Sequence, residues 1–184
     1  MPEVIIKAIY ADKIQESEKN EISVLDAECF ADVDPKSLKE DFIAVPFGYI
    51  TARKAGKLVG KIDLFKRYIV FSGTKIFIGG LGGVCVTQSE RRQGIGENMC
   101  VLGIKTLKDQ GCDITCLNAD LDKGAYKVYQ GVGFTFMERK ASFENIKGKT
   151  VFVDGTMFMP LKSEKIYDLV MNSQETFHYG KGYW

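Results

Sequence analysis

Between residues 76 and 119 the chain reads strand, glycine turn, helix, strand, and this order constrains the fold more than any other feature. IFIGGLGGVCV, 76–86, is an uncharged run of β-branched and aromatic residues with glycines, as a buried strand requires. SERRQGIGEN, 89–98, follows with two adjacent arginines and two glycines. Two apolar sets, Ile95/Met99/Leu102 and Cys100/Ile104/Leu107, then each recur at i, i+4, i+7, a broad stripe for a helix that covers a sheet. Gly111 ends the helix, and DITCLNA, 113–119, is a short buried strand. Two strands joined through a helix lie parallel, with a right-handed crossover.

The flanking sequence supplies the rest of the sheet. VIIKAIYAD opens as a strand, and Ile22, Leu25 and Cys29 at i, i+3, i+7 predict a helix over 18–30. Asp34-Pro35 reads as N-cap and first position of a second helix over about 35–44. Runs at 48–54, 57–65, 67–72 and 75–86, with turns at Gly56 and Ser72-Gly73, predict an antiparallel meander. After residue 119, Asp120 or Asp122 caps a helix in which Ala125, Val128, Tyr129 and Val132 share a face and which Gly131 and Gly133 close. FTFMERKASF and KTVFVDGTMFMPL are final strands, and ETFHYGKGYW is an aromatic tail. The reading is a single α+β domain over 1–184.

Composition narrows the function. A chain of 184 residues can bury one real core. With 25 basic and 24 acidic residues the net charge is +1, so no long-range field draws it to nucleic acid or membrane, and any anion site must be local. The N-terminus lacks the apolar segment of a signal peptide, and 76–86 is too short to span a bilayer. The five cysteines, Cys29, Cys85, Cys100, Cys112 and Cys116, are odd in number, and Cys112/Cys116 lack the spacing and partners of a zinc site. They read as buried thiols of a reducing cytoplasm, and no metal is expected. The single histidine, His178, lies near the C-terminus, which argues against a catalytic cysteine.

A helix N-terminus offers unpaired N–H groups and partial positive charge. Glycines let a ligand approach the backbone closely. SERRQGIGEN fits a phosphate cradle on those grounds, yet it is neither a Walker loop, lacking the GxxxxGK[ST] spacing, nor a GxGxxG fingerprint, lacking the third glycine. A surface turn that starts a helix is the plainer alternative.

Two blocks decide between these. GVCVTQSERRQGIGENM, 83–99, and DKGAYKVYQGVGF, 122–134, resemble the GNAT superfamily of acyl-CoA-dependent N-acyltransferases. The first is similar to that family's Arg/Gln-x-x-Gly-x-Gly/Ala pattern at Arg91, Gly94 and Gly96. The second is similar to its Asn-x-x-Ala-x-x-x-Tyr-x-x-x-Gly-Phe pattern, with Asp122 in place of asparagine. The resemblance implies a mixed, splayed sheet of six to seven strands flanked by about four helices. It implies acetyl-CoA bound like an extra strand: backbone of Val84, Cys85 and Val86 along the pantetheine arm, amides of Arg92, Gln93, Gly94, Ile95 and Gly96 on the pyrophosphate, and Asn118, Asp122 and Tyr126 beside the coenzyme. Tyr129 matches the family's general acid, which would protonate the departing thiolate; as a plain core residue it would simply pack. The family often places a basic glutamate on the splayed strand, but GGLGGVCV, 79–86, has no carboxylate. A water relay is then expected, with Asp32, Asp34, Asp41 and Asp154 as other carboxylates.

FADVD, FSGTKIFIGGLGGVCV, VDGTMFMPL and a final tryptophan are together similar to the aminoglycoside 2′-N-acetyltransferase branch. That resemblance implies a small amine acceptor held by Asp32 or Asp34, Gly83, Asp154 and Trp184, whose carboxylate can take part. Each has a plainer reading: Asp34 as an N-cap, Asp154-Gly155 as a hairpin turn, Trp184 as a loose end. A polyamine or peptide amine also fits, as does a non-catalytic acyl-CoA sensor. Many family members dimerise, and an edge strand near the C-terminus leaves a homodimer open.

Overall fold

The computed structural model describes residues 2–121 and 124–184. Strands β2 (Gly48–Lys54), β3 (Lys57–Phe71) and β4 (Thr74–Val86) form the expected antiparallel meander, and β1 (Val4–Tyr10) adds to it antiparallel to β2. Helices α1 (Glu16–Cys29) and α2 (Pro35–Glu40) lie between β1 and β2, and α2 is shorter than its sequence suggests. The two runs expected at 57–65 and 67–72 are one strand. Lys66 and Arg67 break the apolar pattern but not the ladder, where they pair with Gly79 and Ile78. Their charged ends are drawn aside, Lys66 over the Phe47 ring at 4.6 Å and Arg67 over the Trp184 ring at 4.3 Å.

Helix α3 (Ile95–Asp109) carries the chain from β4 to β5 (Ile114–Asn118), which lies parallel to β4 as predicted. The main sheet has seven strands in the order β1-β2-β3-β4-β5-β9-β6, with β6 at Thr135–Phe136 and β9 at Thr156–Pro160. A second sheet, β10-β7-β8, joins Phe177–Lys181, Ala141–Glu144 and Thr150–Val153. Each of the two late runs read as a single strand is therefore divided between sheets. Asp154-Gly155 is the corner where the chain changes sheet, not a hairpin turn: β8 pairs with β7, whereas β9 pairs with β5 and β6. A Cβ on Gly155 would meet the Ala119 carbonyl at 2.2 Å, so only glycine fits that corner.

Helix α4 (Tyr126–Gly131) starts at Ala125 rather than Asp120, and Asp122 lies outside the described residues. Its apolar face is narrower than its pattern, for Val128 is 42% exposed and Tyr129 alone is buried. Helix α5 (Glu164–Asn172), which the apolar pattern does not announce, is capped by the Ser163 hydroxyl on the Ile166 amide and buries only Val170. The tail is ordered into β10, and Trp184 is buried.

Three apolar groups hold the layers. On one face α3 sets Ile95, Met99, Cys100 and Leu107 against Ile50, Ile62, Leu64 and Leu81. On the other, Ile22 and Leu25 of α1 cover Leu58 and Cys85, while Phe65, Phe158, Phe177, Tyr179 and Trp184 fill the space under the second sheet. Each such side chain withdrawn from water contributes about 1.5–3 kcal/mol. All five cysteines are free, four of them buried. Among the described residues no helix is long and apolar enough to cross a membrane, and no group of three or more His, Cys, Asp or Glu is placed to hold a metal.

Candidate functional site

The parallel pairing of β4 and β5 is brief. Ile78, Gly79 and Gly80 pair with Ile114, Thr115 and Cys116, and there it stops. From Leu81 onward the edge of β4 that faces β5 has no strand partner among the described residues. On its other edge β4 stays paired with β3 but carries a bulge, where Lys61 opposes Cys85 and Asp63 opposes Gly82. Gly83, inside the bulge, has φ +53°, a conformation that favours glycine. Bulge and splay together open a slot beside Val84, Cys85 and Val86.

The glycine turn closes one end of that slot. Gly94 is the N-cap of α3 with φ +76°, and Arg92 also takes a positive φ, +60°. The first main-chain bond in the helix, from the Asn98 amide to the Gly94 carbonyl, leaves the amides of Ile95, Gly96 and Glu97 without an intrahelical acceptor, and among the described residues no side chain caps them. Gly96 carries the sharper signal. A Cβ there would find nothing nearer than Val86 at 3.9 Å, and Gly96 is not among the positive-φ glycines. Neither its own conformation nor the packing requires glycine, and glycine within a helix costs about 0.5–1 kcal/mol. Space kept clear at an uncapped helix start suits an anionic ligand lying on the backbone.

Neighbouring side chains brace the turn. The Arg91 Nε donates to the Val86 carbonyl at 2.9 Å, so Arg91 ties the turn to the end of β4. Lys54 pairs with Glu90 at 2.6 Å, and the Gln93 amide donates to the same carboxylate at 3.1 Å. Asn118 closes the far side: its Nδ2 donates to the Asp154 carbonyl at 2.6 Å, fixing the end of β5 to the sheet corner.

Tyr129 projects from α4 into the main core, edge-on to the Phe134 ring at 6.5 Å. Burial, with the Cys100 thiol beside it, pushes its hydroxyl well above the ordinary tyrosine range. It is therefore protonated across the physiological range. Tyr126, one turn earlier, is half-buried. Burial likewise pushes the Cys100 and Cys116 thiols up to about 12 and Cys112 to about 11, so these cysteines are packing groups rather than nucleophiles.

The opposite face of β4 carries the remaining sequence-predicted residues unevenly. Trp184 lies on β4: a Cβ on Gly82 would stand 2.9 Å from its main-chain carbonyl carbon. Asp34 accepts from the amides of Lys36 and Ser37 and lines a groove with Lys36, Glu40, Asp41 and Lys147 that has no residue from β4. Asp154 is exposed beside Lys140 at 3.5 Å, and Asp32 is exposed. The carboxylate found against β4 is Asp63, from the neighbouring strand. Its oxygens take the Lys61 ammonium at 2.7 and 2.8 Å, and Lys61 also pairs with Asp26 of α1 at 2.7 Å. The sequence holds part of a signal for the pair, since Lys61 and Asp63 stand two apart, hence on one face, in the otherwise apolar stretch 58–65, but nothing local places that face against β4.

A family model described as an acetyltransferase (GNAT) domain matches residues 11–137. The chain belongs to the GNAT acetyltransferase family. The slot between β4 and β5 and the glycine turn are thus placed in the GNAT domain itself. No curated protein matches the chain. Among solved structures it is similar to Eis1 from Mycobacterium abscessus, at 14% identity over 75% of this chain and 32% of that one, with a TM-score of 0.56. It is similar also to the NatC complex bound to Gag peptide and CoA, at 17% identity over 86% and 99%, TM-score 0.58. A GNAT family acetyltransferase from Brucella melitensis in complex with acetyl-CoA matches at 20% identity over 71% and 83%, TM-score 0.51. At these identities the likeness establishes the shared fold. The chain spans about a third of the length of the Eis1 protein.

Proposed function

We propose that this GNAT domain transfers an acetyl group from acetyl-CoA to a primary amine, with an amino sugar as the first acceptor class to test. The observation that carries the reading is the parting of β4 from β5 after Gly80, with the uncapped start of α3 and the cleared backbone at Gly96 at its mouth. An extended arm can pair with the free edge of β4 at Val84 to Val86 as an added strand does. A pyrophosphate at its end would meet the amides of Arg92 to Gly96, with Arg91 and Arg92 adding charge. The NatC and Brucella structures, of the same fold, hold CoA and acetyl-CoA.

Acetyl-CoA supplies the activated acyl thioester. The protein's part is to hold two reactants in line, exclude water and move protons. Tyr129, kept neutral by burial, gives its proton to the leaving sulfur. A thiolate whose thiol ordinarily titrates near 8.5 leaves readily, so placement of the hydroxyl on the sulfur matters more than its acidity, which burial lowers. The late strand, the tail and Trp184 support an amino-sugar acceptor only by their resemblance to the aminoglycoside branch. Calorimetric titration with acetyl-CoA, followed by free-thiol release with kanamycin, spermidine and a short peptide, tests both halves of the reading. Micromolar binding with thiol release from kanamycin is the expected result; release only with spermidine or the peptide reassigns the acceptor, and no acetyl-CoA binding removes the function.

A further inference from the structure

We propose that the acceptor amine reaches the acetyl group from the α1 side of the sheet, over the Gly82–Gly83 bulge, and that Asp63 takes its proton. This rests on the acetyltransferase reading and names the base that reading lacks.

Position argues for it first. Asp63 stands opposite Gly82, two residues beyond the last pair that joins β4 to β5. A Cβ on Gly83 would lie 2.5 Å from Asp63 Oδ2 and 2.8 Å from Lys61 Nζ. Because β4 has no side chain at the bulge, the two β3 side chains occupy the space a β4 residue would otherwise fill. A carboxylate thus lies against β4 where it splays, although β4 itself contributes none over 79–86.

Access and charge point the same way. A cleft of about 340 Å³ reaches Asp63 between α1 and β2, lined also by Asp26, Ser23, Pro46 and Tyr49. Lys61, only 2% exposed, sits between Asp26 and Asp63, so this trio carries one negative charge, and Lys19, which also lines the cleft, is paired with Glu16 at 3.1 Å. An arriving ammonium is attracted there, and Lys61 holds Asp63 in one orientation. The titratable groups facing Asp63 are Lys61 on its own strand, Tyr49 on β2, and Asp26 and Lys19 on α1, while Cys85 on β4 faces Lys61 and Asp26. Burial pushes the Asp63 carboxyl up to about 6, against the pull of Lys61. Burial pulls on the Lys61 ammonium in the opposite direction, but its two carboxylates outweigh that and keep it above its ordinary value. Asp63 is then ionised at neutral pH and still basic enough to accept a proton.

The step balances. Asp63 accepts one proton from the ammonium, and the freed nitrogen lone pair forms the N–C bond at the thioester carbon. The C–S bond breaks, sulfur leaves with its electron pair, and Tyr129 protonates it. The second proton lost by nitrogen passes to solvent, Asp63 then releases the first to solvent, and solvent restores Tyr129.

The test compares wild-type protein with Asp63→Asn, Asp63→Glu and Asp26→Asn. Acetyl-CoA affinity is measured by calorimetry, and kcat/KM from pH 5 to 9.5 by thiol release with whichever of kanamycin, spermidine or a short peptide the wild type accepts. Asp63→Asn is expected to lose at least about 100-fold in kcat/KM while acetyl-CoA affinity stays within about twofold. The acid limb, with its midpoint near 6, disappears in that variant, and Asp63→Glu recovers part of the rate. Asp26→Asn keeps the limb but moves it to lower pH, since a repelling charge beside Asp63 is gone. Asp63→Asn within about threefold of wild type, or an acid limb unmoved in it, overturns the assignment of the base alone. Loss of the limb in Asp26→Asn overturns it too, whether or not Asp63→Asn folds. A wild type that binds no acetyl-CoA, or binds it and releases no thiol with any of the three amines, overturns the acetyltransferase reading and this proposal together.

Discussion

A Cβ placed on Gly80 would stand 2.2 Å from the indole nitrogen of Trp184. Gly80 is also the last residue of β4 to pair with β5. The tryptophan ring, stacked on Phe65 at 5.5 Å and 11°, therefore lies over the point where the two strands part. Gly80→Ala is expected to destabilise the protein by about 1–3 kcal/mol through overpacking. For a domain of this size that lowers Tm by roughly 3–10 °C. Thermal unfolding of the single and double variants checks the cause. In a Trp184→Ala background the same change costs little, because the ring it collides with is gone. Equal losses in both backgrounds would mean that the ring is not what excludes the methyl group.

Gly96 separates ligand binding from folding. The space around it admits a side chain, so Gly96→Leu leaves stability unchanged or raises it by about 0.5–1 kcal/mol. The same side chain stands over the free amides of α3. Acetyl-CoA affinity, measured by calorimetry, is expected to fall at least about 100-fold, roughly the loss of two charge-assisted hydrogen bonds. Gly94→Leu loses affinity as well, but at a cost in Tm, because Gly94 needs its positive φ. A Gly96→Leu protein that binds as tightly as wild type means that the cradle lies elsewhere.

Tyr129→Phe removes one oxygen from a ring that otherwise keeps its place against Phe134. The hydroxyl makes no hydrogen bond to another described residue, so the change is expected to leave Tm within a few degrees of wild type. Turnover is expected to fall by about 100-fold or more, with acetyl-CoA affinity retained. Because burial holds the hydroxyl above its ordinary range, wild-type kcat shows no alkaline loss from Tyr129 below about pH 10. Thiol-release kinetics on both proteins measure this, and an unchanged kcat would remove the residue from the chemistry.

The parts of the fold legible in the sequence are those whose pattern is local. The α3 stripe, the N-cap Asp34 and the glycine turns are written in consecutive residues, and the structure follows them. What stays hidden depends on distant neighbours. Lys66 and Arg67 look like a strand break until Phe47 and Trp184 are seen beneath their charges. Asp154-Gly155 reads as a hairpin because the two sheets it separates are built from segments far away. The glycine turn at 89–98 was legible for the same reason as the helix it starts. Asp63 was not, since its place at the site depends on β3 lying across from a glycine bulge in β4.

The Lys61–Asp63 pair gives stability a pH dependence of defined sign. Burial sets the folded carboxyl of Asp63 at about 6, above the 3.8 of an unperturbed aspartate. The folded state then holds a proton that the unfolded chain releases earlier. The stabilisation this represents is complete below about pH 4 and is lost as pH rises through 6. Its size is about 1–3 kcal/mol, the lower part of that range allowing for the 19% of the Asp63 side chain that water still reaches. Asparagine carries no such proton. The unfolding free energy of Asp63→Asn minus that of wild type is therefore expected to rise by about 1–3 kcal/mol between pH 4 and 7. Glu21, whose carboxyl is held below its ordinary range by Arg53, tilts both proteins the other way and cancels in the difference. Urea unfolding at four pH values measures it. A flat difference would place the Asp63 carboxyl near an ordinary value, and a falling one would mean that Lys61 outweighs burial at the bulge.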